Sequence, residues 1–271
     1  MTQKNILIIG GGNMGSAIAE GLILNSAHKV IIKTPRPENC KVRHTDIQIV
    51  SDFDAVSAIS FDMIIVSVKP YMIKDVLADA SDFLKAQKSL LVSVAAGMSY
   101  DELSRYAPDH MTVIRSMPNT PVALGAGLWG YYAPTKNEYF EKIASACGDV
   151  PYFSDEEMMH GFTALAGSGP AYIFHMIEAL AEAGKNIGLS HDVADIMARQ
   201  TVIGTSLLAQ GKADMSAKNL RENVTSPNGT TQAGLEALMG QLDLSNTSDS
   251  DLTALMTKTL HSAKKRSLEM A

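Results

Sequence analysis

Hydrophobic residues in the first half of the chain form short unbroken runs, separated by stretches with helical periodicity. Apolar runs without polar alternation are typical of parallel strands buried on both faces. The predicted strands are residues 6–9, 29–33, 61–68, 89–94 and 111–115, with possible edge strands at 128–132 and 149–153. The predicted helices are residues 13–22, 52–59, 74–86, 101–106, with Ser99 as a cap, and 135–146. Strands joined by helices predict a doubly wound parallel sheet.

From Ser154 onward the strand pattern stops, and periodic runs of Ala, Leu, Met and Ile continue to the end. Typical helix lengths predict four to six helices in this part. We therefore expect two domains: a Rossmann-like α/β domain over residues 1–153 and an all-α domain over residues 154–271.

The composition of the chain argues against several classes of function. Hydrophobic residues make up 46% of the chain and its formal net charge is −6, which fits a large core and argues against nucleic acid as a partner. Cys40 and Cys147 have no further ligands at metal spacing, so we predict neither a metal site nor a disulfide framework. The apolar stretch 161–177 is broken by Gly-Ser-Gly-Pro, so no membrane span is predicted. We expect a cytoplasmic protein, and we interpret its histidines as structural.

A glycine-rich loop follows the first predicted strand. Gly10, Gly12 and Gly15 have G-x-G-x-x-G spacing and open a helix through Asn13 and Met14. In this setting the glycines allow a tight turn, close approach of a pyrophosphate and close packing of helix on strand. The helix N-terminus then attracts the phosphates. The pattern predicts a dinucleotide site, the alternative being an ordinary tight turn.

The end of the second strand bears on the choice of cofactor. An acidic residue there typically binds the ribose of NAD, whereas arginine suits the 2′-phosphate of NADP. This chain has Lys33, Thr34 and Arg36 and no acidic residue before Glu38. We predict NADPH, with NADH possible, since a solvated Arg36 is the alternative.

Three further segments follow predicted strands and therefore face the same ligand-binding edge. Val68-Lys69-Pro70 directs a lysine toward this edge, or is a solvated loop. Ala95 and Ala96 are small enough to lie beside a flat ring, or simply pack tightly. The segment 117–121 is rigid because it holds two prolines, and Asn119 offers both a donor and an acceptor.

Taken together, these segments resemble pyrroline-5-carboxylate reductases. The motifs occur in family order at residues 10–15, 68–70, 95–97, 117–121, 167–172 and 224–231. Ser226-Pro-Asn-Gly-Thr-Thr231 is the most specific, because it resembles the signature loop Ser-Pro-Gly-Gly-Thr-Thr of the family. The resemblance implies a Rossmann domain, a helical domain that interlocks with a second subunit, and NAD(P)H-dependent reduction of Δ1-pyrroline-5-carboxylate to proline.

The resemblance also implies roles for individual residues. It places Thr34 and Arg36 by the adenosine phosphate, Lys69 by the cofactor ribose, and Asn223, Thr230 and Thr231 by the substrate, with Glu156 near the ligand. The predicted cofactor-binding residues are Gly10, Gly12, Asn13, Met14, Gly15, Thr34, Arg36, Val68, Lys69, Pro70, Ala95 and Ala96. The predicted substrate-binding residues are Met117, Asn119, Asn223, Ser226, Gly229, Thr230 and Thr231. We expect a homodimer or larger oligomer.

The expected chemistry is direct hydride transfer to the carbon of a cyclic imine. A protonated imine is already a good electrophile, so the protein has to supply orientation, a carboxylate anchor and a dry pocket. The loop 226–231 leads into a predicted helix over residues 232–239, whose free amides can bind the carboxylate. Thr231 is the predicted catalytic residue, hydrogen-bonding the ring nitrogen. Taken on its own, the segment also fits an ordinary helix N-cap.

Two departures from the family pattern are visible. Asn228 replaces the first glycine of the signature loop, and asparagine is the residue that best tolerates the positive φ expected there. The polar stretch 244–251 replaces a Gly-Phe-Arg element, which bears on substrate preference and on the oligomer interface.

Two other functions fit the same architecture. One is an NADP-linked reductase resembling β-hydroxyacid dehydrogenases, which need a lysine in the helical domain; Lys185 is the candidate. The other is a non-catalytic dinucleotide-binding sensor, because fold does not entail function.

Overall fold

The computed structural model describes residues 3–241 and 243–270. These residues divide into two compact units. One contains the residues up to Pro170 together with those from Ala263 onward, and the other runs from Ala171 to Ser262. The predicted domain boundary at Phe153 stays a prediction.

A nine-stranded sheet forms the centre of the first unit. Its strands are β1 (Asn5–Ile9), β2 (Lys29–Lys33), β3 (Gln48–Val50), β4 (Met63–Val66), β5 (Leu90–Ser93), β6 (Thr112–Pro118), β7 (Gly127–Tyr132), β8 (Gly148–Asp149) and β9 (Tyr152–Phe153). The strand order is β3-β2-β1-β4-β5-β6-β7-β8, with β9 also paired to β7. Strands β1 to β6 are parallel, as predicted, whereas β7 runs antiparallel to β6.

Both faces of this sheet are covered, which explains the unbroken apolar runs. Ile6 and Ile8 of β1 pack in one hydrophobic cluster, and Leu7 and Ile9 pack in the other. All four residues of β4 and of β5 are buried. Because successive side chains of a strand point to opposite faces, both sets must be apolar.

Helices lie between these strands or follow the last of them. They are α1 (Asn13–Leu24), α2 (Ile73–Asp79), α3 (Ser81–Lys85), α4 (Tyr100–Ser104), α5 (Glu138–Ala144) and α6 (Met158–Phe162), which continues as a π-helical turn, Thr163–Gly167. The predicted cap of α4 is confirmed, because the Ser99 hydroxyl accepts a hydrogen bond from the Glu102 amide.

Two helix predictions in this unit need correction. The predicted helix 52–59 is only a 3-10 turn, Asp54–Val56, because Asp52 accepts the Ala55 amide and the Ile59 amide bonds to Val56 three residues back. The predicted helix 74–86 divides into α2 and α3 at Ala80. Strand β3, which the sequence did not predict, has only three residues.

Five helices follow: α7 (Gly169–Asn186), α8 (His191–Gly211), α9 (Ala217–Asn223), α10 (Thr230–Met239) and α11 (Asp251–Glu269). With α6, this gives six α-helices in the described part of residues 154–271, within the predicted range. Helix α11 contributes its residues up to Ser262 to the second unit and its remaining residues to the first. Among the described residues, no helix is both long and apolar enough to span a membrane.

Candidate functional site

The glycine loop between β1 and α1 has the geometry that its spacing predicts. Gly10 has φ +113°, and a Cβ there would collide with the backbone of Ser67. A Cβ on Gly15 would collide with the carbonyl oxygen of Gly10. Gly12 is different, because no heavy atom from more distant parts of the protein lies within 4 Å of the position that its Cβ would take. The loop is therefore tight on its inner side and open at Gly12.

The N-terminus of α1 is open as well. Gly12 is its N-cap residue, no side chain caps it, and its first turn contains no acidic residue. Gly12 and Asn13 are exposed and Met14 is half-buried. The first amides of a helix have no acceptor within the helix, and the helix dipole adds partial positive charge. These residues therefore fit the phosphates of a dinucleotide.

The strand order brings the other predicted cofactor residues of this unit to the same edge. Val68 follows β4 and its Cγ1 lies 2.9 Å from the position of a Gly10 Cβ, so the two loops touch. Lys69 is exposed and begins a 3-10 turn at Pro70. Ala95, after β5, is buried, and Ala96 is half-buried. Contact of these residues with a cofactor stays a prediction.

The structure distinguishes the two cations near the end of β2. Lys33 Nζ lies 3.4 Å from Asp79 Oδ2 and 4.2 Å from the centre of the Phe53 ring. Arg36 is exposed, and its backbone amide lies 3.4 Å from the Thr34 hydroxyl. Since Lys33 is held by partners within the protein, Arg36 is the better candidate for binding a 2′-phosphate.

Asn119 uses its side chain within the protein. Its Nδ2 donates to the Ala166 carbonyl at 3.1 Å, and its Oδ1 accepts the Leu128 amide at 2.8 Å. These bonds connect the end of β6 to β7 and to the π-helical turn. Met117, two residues earlier, is half-buried and packs near Gly167. Their predicted roles in substrate binding stay predictions.

The predicted substrate residues of the second unit lie in and around one turn. The Gly229 amide bonds to the Ser226 carbonyl at 3.1 Å, and Pro227 and Asn228 occupy the centre of this turn. Asn228 has φ +57°, the one positive φ among the described non-glycine residues. The conformation predicted for the replacement of glycine is thus confirmed, and type II turns favour these residues at these positions.

This turn leads directly into α10. Gly229 is its N-cap residue, no side chain caps the helix, and its first turn has no acidic residue. Thr230 and Thr231 are exposed in that first turn, two residues earlier than the predicted helix start. Asn223 ends α9 and Ser226 lies in the turn, and both are exposed. This second helix N-terminus is also open to an anion.

One partly buried ion pair was not predicted from the sequence. Arg115 Nη1 lies 2.5 Å from Glu156 Oε1, and the same oxygen accepts the Tyr100 amide at 2.6 Å. The Arg115 side chain is only 9% exposed. A lone arginine inside an apolar strand was the available signal, because buried charges are almost always paired. The sequence did not indicate that its partner would be Glu156, which is more than forty residues away.

The comparisons with known proteins agree with this geometry. A family model described as NADP oxidoreductase, coenzyme F420-dependent, matches residues 5–97, and one described as pyrroline-5-carboxylate reductase dimerisation matches residues 156–270. The chain is therefore an oxidoreductase with a dinucleotide-binding domain and a helical dimerisation domain.

Three similar proteins show to which family of oxidoreductases the chain belongs. A pyrroline-5-carboxylate reductase from Haemophilus influenzae is 33% identical, over 89% of this chain and 91% of the relative. The structure of one from Coxiella burnetii has a TM-score of 0.82 and 31% identity, covering 99% and 98% of the two chains. A Plasmodium falciparum pyrroline carboxylate reductase, solved with NADP bound, has a TM-score of 0.78 and 26% identity, covering 98% of each chain. This chain belongs to the pyrroline-5-carboxylate reductase family.

Proposed function

We propose that this chain reduces Δ1-pyrroline-5-carboxylate to L-proline with NADPH. One observation carries the proposal beyond family membership. Each unit contains an open helix N-terminus, α1 after Gly12 and α10 after Gly229, with no side-chain cap and no acidic first turn. The reaction needs two anions bound, the pyrophosphate of the cofactor and the carboxylate of the substrate. Helix N-termini are suited to both.

The first unit supplies the cofactor site in this proposal. A bound NADPH provides the hydride that the imine carbon accepts. The amides after Gly12 bind the pyrophosphate, and Arg36 pairs with the 2′-phosphate. Arginine suits this task because its planar guanidinium matches phosphate oxygens. The small side chains of Ala95 and Ala96 leave room for the nicotinamide ring beside the end of β5.

The second unit supplies the substrate site. The amides at the start of α10 bind the substrate carboxylate, and Asn228 shapes the turn that presents them. The Thr231 hydroxyl, in the first turn of α10, hydrogen-bonds the ring nitrogen and fixes its orientation. Orientation of this kind lowers the barrier because the reacting atoms are held in place before the transfer.

We further propose a homodimer, or a larger oligomer built from dimers. Of the described residues 171–241 and 243–262, only five are buried. Many large apolar side chains are exposed on α7 and α8, including Phe174 at 63%, Ile196 at 68% and Leu207 at 61%. Exposed apolar surface on this scale marks an interface, and a family model of dimerisation matches this region.

The cellular setting is also a proposal. We infer a role in proline biosynthesis from the proposed product, and a cytoplasmic location from the two free thiols, Cys40 and Cys147.

A spectrophotometric assay tests the reaction. The purified chain should oxidise NADPH when Δ1-pyrroline-5-carboxylate is added, and proline should accumulate in equal amount. The control reaction supplies NADP⁺ and 3-hydroxy acids, the substrates of the alternative that uses Lys185. In the structure that lysine is paired with Glu182. Oxidation of a hydroxy acid without imine reduction would contradict the proposal, as would NADPH binding without turnover of any cyclic imine.

A further inference from the structure

The last turn of α11 packs against the segment that follows β5. Gly97 has φ +76°, and a Cβ there would collide with the backbone of Met270. This backbone occupies the space beside Gly97, so no side chain fits at that position. Gly97 directly follows Ala96, which the proposed function places beside the nicotinamide. The C-terminal turn therefore contacts a segment of the proposed cofactor site.

A hydrogen bond holds the same turn in place. Ser267 Oγ lies 2.9 Å from Nδ1 of His160 on α6, and His160 is only 3% exposed. Ser267 precedes Met270 by three residues, so this bond lies one helical turn from the contact with Gly97. The serine hydroxyl is the side chain by which this part of α11 is hydrogen-bonded to α6.

The segment after β5 is also held at its other end. The Tyr100 amide donates to Glu156 Oε1, which Arg115 binds as well. Glu156 lies just before α6, the helix that carries His160. Residues 97 and 100 are thus held by Met270 and Glu156. The turn that precedes Met270 is hydrogen-bonded to His160 of α6, and Glu156 lies just before the same helix. The Met270 contact is the support nearest to Ala96, because Gly97 is its direct neighbour in the chain.

We propose that Ser267 is a positioning residue for the nicotinamide end of the cofactor site. It holds the C-terminal turn of α11 against Gly97, which keeps Ala95 and Ala96 in the conformation that receives the ring. This inference rests on the proposed function, because that function assigns the nicotinamide to these residues. Arg36 and the glycine loop, which bind the rest of the cofactor, are unaffected by Ser267.

Ser267→Ala separates this role from a general loss of stability. The variant should bind NADPH about threefold to tenfold more weakly, because the conformation that receives the ring loses the stabilisation of one hydrogen bond within the protein. Its affinity for 2′-phospho-ADP-ribose, which lacks the nicotinamide, should be unchanged. In the reductase assay its kcat should fall as well. Ser267→Thr keeps the hydroxyl and should restore NADPH affinity and kcat.

Ser262→Ala is the matched control. Ser262 is on the same helix, is exposed, and donates only to the Lys258 carbonyl one turn back. This variant should bind both ligands as the unmodified chain does. Dissociation constants from fluorescence titration, with melting temperatures to verify folding, give the comparison.

Two results would overturn the proposal. Equal weakening of NADPH and of 2′-phospho-ADP-ribose by Ser267→Ala would indicate a general structural role, and no weakening of either would remove Ser267 from the cofactor site. In both cases imine reduction by the unmodified chain would leave the proposed function intact. Absence of NADPH binding by the unmodified chain would instead contradict the proposed function itself, and this inference with it.

Discussion

Lys33 and Arg36 are both cationic and three positions apart, yet they have different surroundings. Asp79 and Phe53 hold Lys33, whereas the Arg36 side chain is exposed. Arg36→Ala should therefore weaken NADPH binding by about tenfold or more while NADH binding changes little, because only NADPH has the 2′-phosphate and one charge-assisted contact contributes roughly 1.5–3 kcal/mol. Titration of each variant with both cofactors measures the ratio.

Lys33→Ala is the matched control for this experiment. It removes the same charge from a side chain with partners inside the protein, so the ratio of NADPH to NADH affinity should stay close to that of the unmodified chain. Equal losses for both cofactors in Arg36→Ala would refute a role in binding the 2′-phosphate.

Thr231 tests the substrate half of the proposal. Thr231→Ala should lower kcat by about tenfold to a thousandfold, because it removes the hydrogen bond that orients the ring nitrogen for the transfer. Its NADPH dissociation constant should be unchanged, because the glycine loop lies in the other unit. Thr231→Ser, which keeps the hydroxyl, should recover most of the rate. Steady-state kinetics at saturating NADPH provide the measurement, and an unaltered kcat in the alanine variant would exclude Thr231 from the mechanism.

At the scale of single residues, the sequence predicts the roles of the glycines better than it predicts the partners of polar side chains. The spacing of Gly10, Gly12 and Gly15 predicts their separate tasks, since backbone sterics follow from local sequence. The different partners of Lys33, and the internal bonds of Asn119, depend on residues distant in the chain. The residues next to Lys33 and Asn119 in the sequence therefore do not predict these contacts.

Among the elements, the turn before α10 gives the clearest prediction. Asn228 adopts φ +57°, a conformation that costs most L-residues roughly 1–2 kcal/mol. Asn228→Gly should be neutral or slightly stabilising, and Asn228→Ala should lower the free energy of unfolding by about 1 kcal/mol and raise the KM for the imine. Urea denaturation and steady-state kinetics measure the two effects. A KM that is the same in both variants would show that the turn does not shape the substrate site.

The regular elements were predictable to the extent that local pattern determines them. The buried strands and the cap at Ser99 agree with the sequence because apolar runs and capping side chains act locally. The segment 52–59 forms only a 3-10 turn, since the Asp52 side chain competes for backbone amides. Strand β3 has only three residues and is defined by its pairing with β2. A run this short has no periodicity from which a strand could be predicted.

For the whole molecule, His160 predicts a pH dependence of stability. Burial lowers the pKa of His160, and Arg115 on β6 and Lys264 on α11 lower it further, against Glu156 and Glu157. Its pKa in the folded state is therefore below about 6.5, the value for an unfolded chain. As the pH falls below that value, the unfolded chain binds a proton that the folded chain does not. The contribution of His160 therefore lowers the free energy of unfolding by at most about 1.4 kcal/mol per pH unit.

His160→Gln should make this loss smaller. Free energies of unfolding from urea titrations at pH 7.5 and 5.5 give the comparison. His28 is also buried with a lowered pKa, and it contributes the same trend in both proteins. An equal loss of stability in the variant would show that His160 is not the group responsible.

The exposed apolar residues of α7 and α8 predict that a single subunit is unstable by itself. Ile196→Asp should reduce the mass of the assembly toward that of one chain and lower the melting temperature, because the chain loses the stabilisation that association provides. Leu124→Asp, at a residue 70% exposed in the first unit, is the matched control and should leave the mass unchanged. Sedimentation velocity measures both, and an unaltered assembly in Ile196→Asp would place the interface elsewhere.

Long-range polar contacts of the first unit lay beyond prediction from a single sequence. Arg115 with Glu156, and His160 with Ser267, join positions separated by 41 and 107 residues. Hydrophobic periodicity reports which face of an element is buried, but it does not report which polar group will meet which. Such pairs become visible only once the chain is folded.

The contact between Gly97 and Met270 has an evolutionary consequence. Two positions far apart in the chain share one small volume, so they cannot vary independently. A homologue with any larger residue at the first position has to reroute or shorten its C-terminal turn, and one that keeps this turn has to keep glycine. An alignment rich in such homologues should therefore show covariation between these two distant columns.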